Sequence, residues 1–294
     1  MQDLLEAPPL CREDALWSGL DFTVADEETF AREQQAAGDS VHFHRGVWWR
    51  GLRYGFCQPC FPLRLIDHRD AWPHGLRAPL GFMHLARPGS PANAVYRSIA
   101  REQVHAYSLQ QVDKKRRNLV RSALSRLEVR PVQSLAELAA EGYQVYRSWR
   151  ERTGWGRSKA RPQVFSSWIT SAFRRPRRFV LGAYLEDKLV AFMLPCAAHN
   201  VAFVSFVASH SSALWAHPND ALYHAFLCIA RQTPGITTAD MGPASSKPSL
   251  DKFKLDYGAI RQSPCYVWMN PAVRLLVGPH IKQRYPWLQL SAAC

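Results

Sequence analysis

Hydrophobic and polar positions alternate in Val41-His-Phe-His-Arg45 and again in Val47-Trp-Trp-Arg50, which predicts two β-strands joined at Gly46. Residues 54–57 and 61–66 continue the β pattern, and the prolines and glycines between positions 59 and 91 predict loops rather than long helices. From residue 108 the period lengthens to that of helices. Ser108-Leu-Gln-Gln111 matches a capping box and predicts a helix from Leu109 to about Leu127. Its apolar stripe is Leu109, Val112, Leu119, Val120, Ala123 and Leu127, and Arg116 falls on that stripe. A strand follows at 128–132. Ser134-Leu-Ala-Glu137 then opens a second helix running to about Arg152 and stopped at Gly154, and Pro162 suits the first turn of a third, ending near Phe173. Strands are expected at 179–185 and 189–197 around a turn at Glu186, Asp187 and Lys188, and at 201–209. Asn219 is placed to cap a helix reaching about Gln232, a parallel strand follows at 236–240, and a strand at 265–269 is expected to close the sheet. The fold class is therefore α/β: a mixed sheet flanked by helices over 108–294, and a smaller β-rich part over 1–107.

The stretch from Asp240 to Ala259 reads as a strand end, a loop and a short helix. Ser249 is the expected N-cap, and Gly258 stands where a helix C-terminus favours a residue free to take positive φ. Leu250, Phe253 and Tyr257 fall on one apolar stripe, with Lys252 and Asp256 paired on the solvated side. Lys254 belongs with the stripe, so its ammonium emerges beside buried surface, where charge acts strongly. The plain alternative is a lysine whose stem covers apolar surface and whose head stays in water.

Phe253-Lys254 followed by Tyr257-Gly258, after a strand ending Asp240-Met-Gly242, resembles the FemAB-like branch of the GNAT acyltransferase superfamily. The order of elements from 128 onward, βααβββαβαβ, is similar to a GNAT domain. Lys115-Arg116-Arg117-Asn118 is similar to the basic helix that joins the two halves of FemAB-like proteins. The resemblance implies that residues 1–107 are a reduced GNAT-like domain beside the acceptor site. It also implies an acyltransferase forming an amide between an activated donor, aminoacyl-tRNA in that branch, and a small-molecule amine, with no further cofactor. Lys254 is then the residue that stabilises the oxyanion, and Asp240 joins it as catalytic candidate. Asp240, His210 and His217 stand near the sheet's centre as possible general bases, each equally readable as structural. Arg116, Arg117, His210, Asn219, Phe253 and Tyr257 are the substrate-binding candidates.

A net charge of +13 over 294 residues favours an anionic partner: tRNA, a nucleotide-linked donor or an anionic membrane surface. An inward arginine at 116 is suited to phosphate or carboxylate, whereas Lys114, Lys115 and Arg121 read as a solvated face. An acetyl-CoA enzyme of this superfamily has a glycine-rich pyrophosphate loop after the strand corresponding to 201–209, yet residues 209–219 contain no glycine and include Pro218. Two other functions stay open. The basic stretch 174–178 would hold the phosphopantetheine arm of an acyl-CoA or acyl carrier protein, and tryptophans beside arginines in 47–50 and 147–150 would stack bases in a non-catalytic RNA-binding protein. Seven scattered cysteines do not form a disulfide framework; Cys57 and Cys60 have a zinc-like spacing near His42 and His44 but lack the second pair a structural site brings. No apolar run reaches the roughly 18 residues of a membrane span, and the first residues lack a basic, apolar leader, so a cytoplasmic protein is expected.

Overall fold

A computed structural model describes residues 14–17, 19–51, 56–71, 81–82, 84–87, 94–154, 161–173, 179–244, 247–261, 265–268, 275 and 289–290. The chain forms two compact units from interleaved segments. One comprises Met1–Val24, Ala100–Gly242 and Phe253–Ile260; the other comprises Ala25–Ile99, Pro243–Lys252 and Arg261–Cys294. The boundary expected near residue 107 lies within the segment Ala100–Gly242.

The unit containing Ala25–Ile99 opens with the helix Glu27–Ala36, capped by Asp26, whose carboxylate accepts from the Thr29 amide at 2.7 Å. The hairpin Val41–His44 and Val47–Gly51 turns through Arg45 and Gly46, both at positive φ, as a two-residue turn matched to strand twist requires. Val47, Trp49, Cys57, Ile66, Ala71 and Phe82 form its core. Cys57 and Cys60 are buried free thiols, each pushed up to about 12 chiefly by burial, so both stay protonated at neutral pH.

The other unit is built on a seven-stranded sheet in the order Ile260–Arg261, Ser98–Arg101, Thr238–Pro243, Val201–Ser209, Lys188–Ala198, Leu181–Leu185, Glu128–Pro131. The strand Cys265–Trp268 does not close it. That strand pairs instead with His84–Ala86 and Ala94–Tyr96 in a separate five-stranded sheet. At the centre, Val201–Ser209 runs parallel to Thr238–Pro243 for only three pairs, ending at Phe203 opposite Asp240. On its other side the same strand stays paired with Lys188–Ala198 as far as Ser209. The two parallel strands therefore part beyond Phe203 and Asp240. A register shift next to Pro195 accompanies this, since proline has no N–H to give the ladder.

The helices Leu135–Thr153 and Pro162–Phe173 cover the sheet through Leu138, Val145, Phe165 and Ile169 packed on Phe192, Leu194 and Ala208. The first is capped by Ser134, which accepts from the Glu137 amide, while the Glu137 carboxylate accepts from Tyr184 rather than from the Ser134 amide a full capping box would use; the helix ends at Gly154 in the left-handed region. Pro218–Gln232 is buried along most of its length, including every residue from Asp220 to Ala230. Next to it packs the helix Lys114–Leu124. This basic helix begins later than its capping box predicts. Ser108 makes no side-chain cap bond and Leu109–Gln111 is only a 3₁₀ turn, because Asp113 supplies the cap, accepting from the amides of Lys115 and Arg116.

Candidate active site

Where the two central strands part, Asp240 is 5 % exposed and its Oδ1 accepts the amide proton of Gly242. Gly242 has φ +92, and a Cβ added there would stand 3.5 Å from the Nζ of Lys254. The lysine ammonium thus lies against bare backbone at a strand end, a close approach that glycine permits. Gly242→Ala is expected to lower stability by about 1–2 kcal/mol through the positive φ alone and to displace the ammonium. Thermal melts together with kcat will show both effects.

Lys254 is held there by the helix Pro248–Leu255. Pro248 occupies its first turn, so Ser249 lies inside the helix rather than capping it, and the amides of Leu250 and Asp251 donate to the Lys247 carbonyl in the first bonds. The expected stripe is rotated. Leu250 is exposed, while Asp251, Lys254 and Tyr257 are buried and Gly258 takes φ +73 to end the segment. Tyr257, common to the expected and the observed stripe, donates its hydroxyl to the Asp220 carbonyl at 3.0 Å.

Arg116 stands at the middle of a second group. Its Nη1 donates to Asp220 at 2.8 Å, its Nη2 to Asp256 at 3.3 Å, and its guanidinium lies 4.5 Å from the centroid of Phe253. Asp256 therefore faces Arg116, not only the solvated side assigned to it by spacing. Burial alone would lower the Arg116 guanidinium, but hydrogen bonds and charge from Asp220 outweigh it and hold it above its ordinary value. For Asp220 the balance is reversed: burial pushes its carboxyl up despite Arg116, as suits the more deeply enclosed partner. Tyr223 joins the groups, its ring 5.2 Å from Phe253 and its hydroxyl held well above its ordinary value by burial and by the nearby charge of Asp240. Tyr257 is held up likewise, by burial first and then by Asp220.

The other candidates have partners of their own. Arg117 donates to the Gln110 carbonyl at 2.9 Å. His210 caps the 3₁₀ turn Ser211–Ala216, accepting from the Ser212 amide, and His217 takes a left-handed backbone at the start of Pro218–Gln232. Asn219 does not cap that helix; it lies inside it after Pro218, and its Oδ1 accepts from Ser209 at 2.5 Å. The partners that spacing missed are Asp220 and Asp256. An acid in the first turn after Pro218 was a usable local signal for Asp220. The basic stretch 174–178 lies outside the described residues.

A parallel strand pair that splays after three residues, with a helix following one of the strands, is the arrangement expected of a GNAT sheet. A family profile described as "Acetyltransferase (GNAT) domain" matches residues 108–254, half of the chain. The chain belongs to this GNAT family. Membership makes it a transferase of acyl groups. No curated protein sequence matches it. Among solved structures it is similar to the C-terminal domain of a proposed lysylphosphatidylglycerol synthetase from Agrobacterium fabrum, with 14 % identity, TM-score 0.59, and 92 % of this chain and 96 % of that one covered. FemX is similar at 10 % identity and TM-score 0.57, covering 92 % of this chain and 98 % of its own. A tandem GNAT protein from the clavulanic acid pathway gives 10 % identity, TM-score 0.51, and coverage of 88 % and 94 %. These likenesses establish a shared fold. Among the described residues no helix is long and apolar enough to cross a membrane.

Proposed function

We propose that this GNAT protein joins an aminoacyl group, carried as an ester on tRNA, to the amine of a small acceptor. The observation carrying this reading is the way the helix Pro218–Gln232 begins. In an acyl-CoA enzyme that helix N-terminus and the loop before it bind a pyrophosphate through free amides and the helix dipole. Here the first helical residue is proline, the preceding turn is filled by Ser211–Ala216, and the buried carboxylate of Asp220 already occupies the first turn with Arg116 upon it. A second anion would meet that carboxylate. FemX and the lysylphosphatidylglycerol synthetase domain share the fold and support the same direction.

In the proposed reaction the acceptor amine attacks the ester carbonyl, forming the C–N bond. The oxyanion of the tetrahedral intermediate is met by the Lys254 ammonium, and collapse breaks the C–O bond to the ribose, whose oxygen takes a proton. Asp240 anchors the Gly242 amide and is the proposed acceptor of the amine's proton. Arg116 acts as a positioning residue, tying Asp220, Asp256 and Phe253 into one support beneath Lys254. In a radiolabel transfer assay with charged tRNA, acetyl-CoA and a panel of amines, label is expected to pass from the charged tRNA. Transfer from acetyl-CoA alone would replace this reading with the acyl-CoA one.

A further inference from the structure

We infer that the outer face of the basic helix Lys114–Leu124, with Trp215 beside its far end, is a docking surface for the single-stranded 3′ end of an RNA. The inference rests on the aminoacyl-tRNA reading and specifies where that donor is gripped. Lys114, Asn118, Arg121 and Ser125 recur every three or four residues, so they form one ridge along the helix. All four are exposed. The ridge spans about 16 Å at 1.5 Å per residue. No acidic residue occurs between Lys114 and Leu127.

Charge alone would be a solvated face. What changes the reading is the aromatic at its end. The turn Ser211–Ala216 packs on this helix through Ala216 against Ala123 and Leu127, and it presents Trp215 at 57 % exposure. The guanidinium of Arg126 stands 5.4 Å from the centroid of that indole. A large aromatic left open to solvent, backed by an arginine and followed by a ridge that carries Arg121 and Lys114, offers a base a stacking surface and its phosphates a positive track. Duplex RNA would find no such use for an indole, since its bases are already stacked. The opposite end of the helix is also placed to matter, because Arg116 there joins the Asp220, Asp256 and Phe253 group. A strand stacked on Trp215 and tracked by Arg121 and Lys114 runs along the outer face to that same end of the helix.

The test is fluorescence anisotropy with a labelled RNA hairpin bearing a short single-stranded 3′ end, the same hairpin blunt-ended, and phosphatidylglycerol vesicles, at several salt concentrations. Trp215→Ala is expected to weaken binding of the tailed hairpin about tenfold, with less effect on the blunt one. Lys114→Glu with Arg121→Glu is expected to weaken it at least as much and to flatten the salt slope by about 1.4, two single-strand phosphate contacts. Lys188→Glu, an exposed charge on a hairpin turn, serves as the control for net charge. Parental affinity of the tailed hairpin in both variants, or a loss seen only with vesicles, would overturn the inference. Failure here leaves the donor reading standing if the parent protein still transfers label from charged tRNA. Transfer from acetyl-CoA alone defeats that reading by itself.

Discussion

Lys254→Met is expected to yield a folded protein whose kcat falls by about 100-fold or more, while Lys252→Met turns over like the parent. The two lysines share one short helix but not one environment: Lys254 is 5 % exposed, and Lys252 is exposed. Lys254 has its ammonium against Gly242, where the central strands have just separated. Charge fixed in such a place needs little reorganisation when an oxyanion forms, and it acts through a medium less screening than water. Methionine preserves the length and packing of the stem and deletes the charge, so a lost cavity-filling side chain does not confuse the outcome. Measured on charged tRNA and the preferred amine, the loss should appear in kcat with little change in KM for the tRNA. Equal turnover by both variants would assign Lys254 to packing and would leave the oxyanion to other groups.

Much of this environment was legible where it is local. The N-cap at Ser134, the glycine stop at Gly154 and the turn at Glu186 and Asp187, one residue shorter than expected because Lys188 already pairs with Leu185, each involve groups a few residues apart. The parallel strand expected at 236–240 is present beside Val201–Ser209. What spacing leaves out falls where a distant partner decides. It puts Arg116 on the inward face without showing the carboxylates that Arg116 meets there, 104 and 140 residues away in sequence. Leu250 reads as core and is exposed, while Asp251 and Lys254 of the same helix are buried. The strand Cys265–Trp268 has the right composition for the central sheet, but Ser98–Arg101, from far earlier in the chain, holds the place beside Thr238–Pro243. Periodicity specifies which face of an element is apolar and is silent about which partner meets it.

Arg116→Ala is expected to cost about 3–5 kcal/mol of stability, the largest loss foreseen for any charged residue in this unit. Two carboxylates depend on that guanidinium, and Asp220 is too enclosed for water to replace it. Removing one partner of a buried pair leaves the other's desolvation uncompensated, whereas replacing the whole group costs much less. Arg116→Met combined with Asp220→Asn and Asp256→Asn should therefore recover part of the loss, a non-additivity that denaturant melts can measure. The pH dependence has a definite sign. Burial already raises the folded pKa of Asp220, so its ionisation weighs against the native state as pH rises, and Arg116 is the principal group opposing this. Without Arg116 the folded pKa rises further. The deficit of Arg116→Ala relative to the parent should be greatest at neutral pH and above, and should shrink as pH falls through that raised pKa and Asp220 becomes neutral. A deficit independent of pH would place the cost in the lost packing over Phe253 instead of in the buried carboxylate.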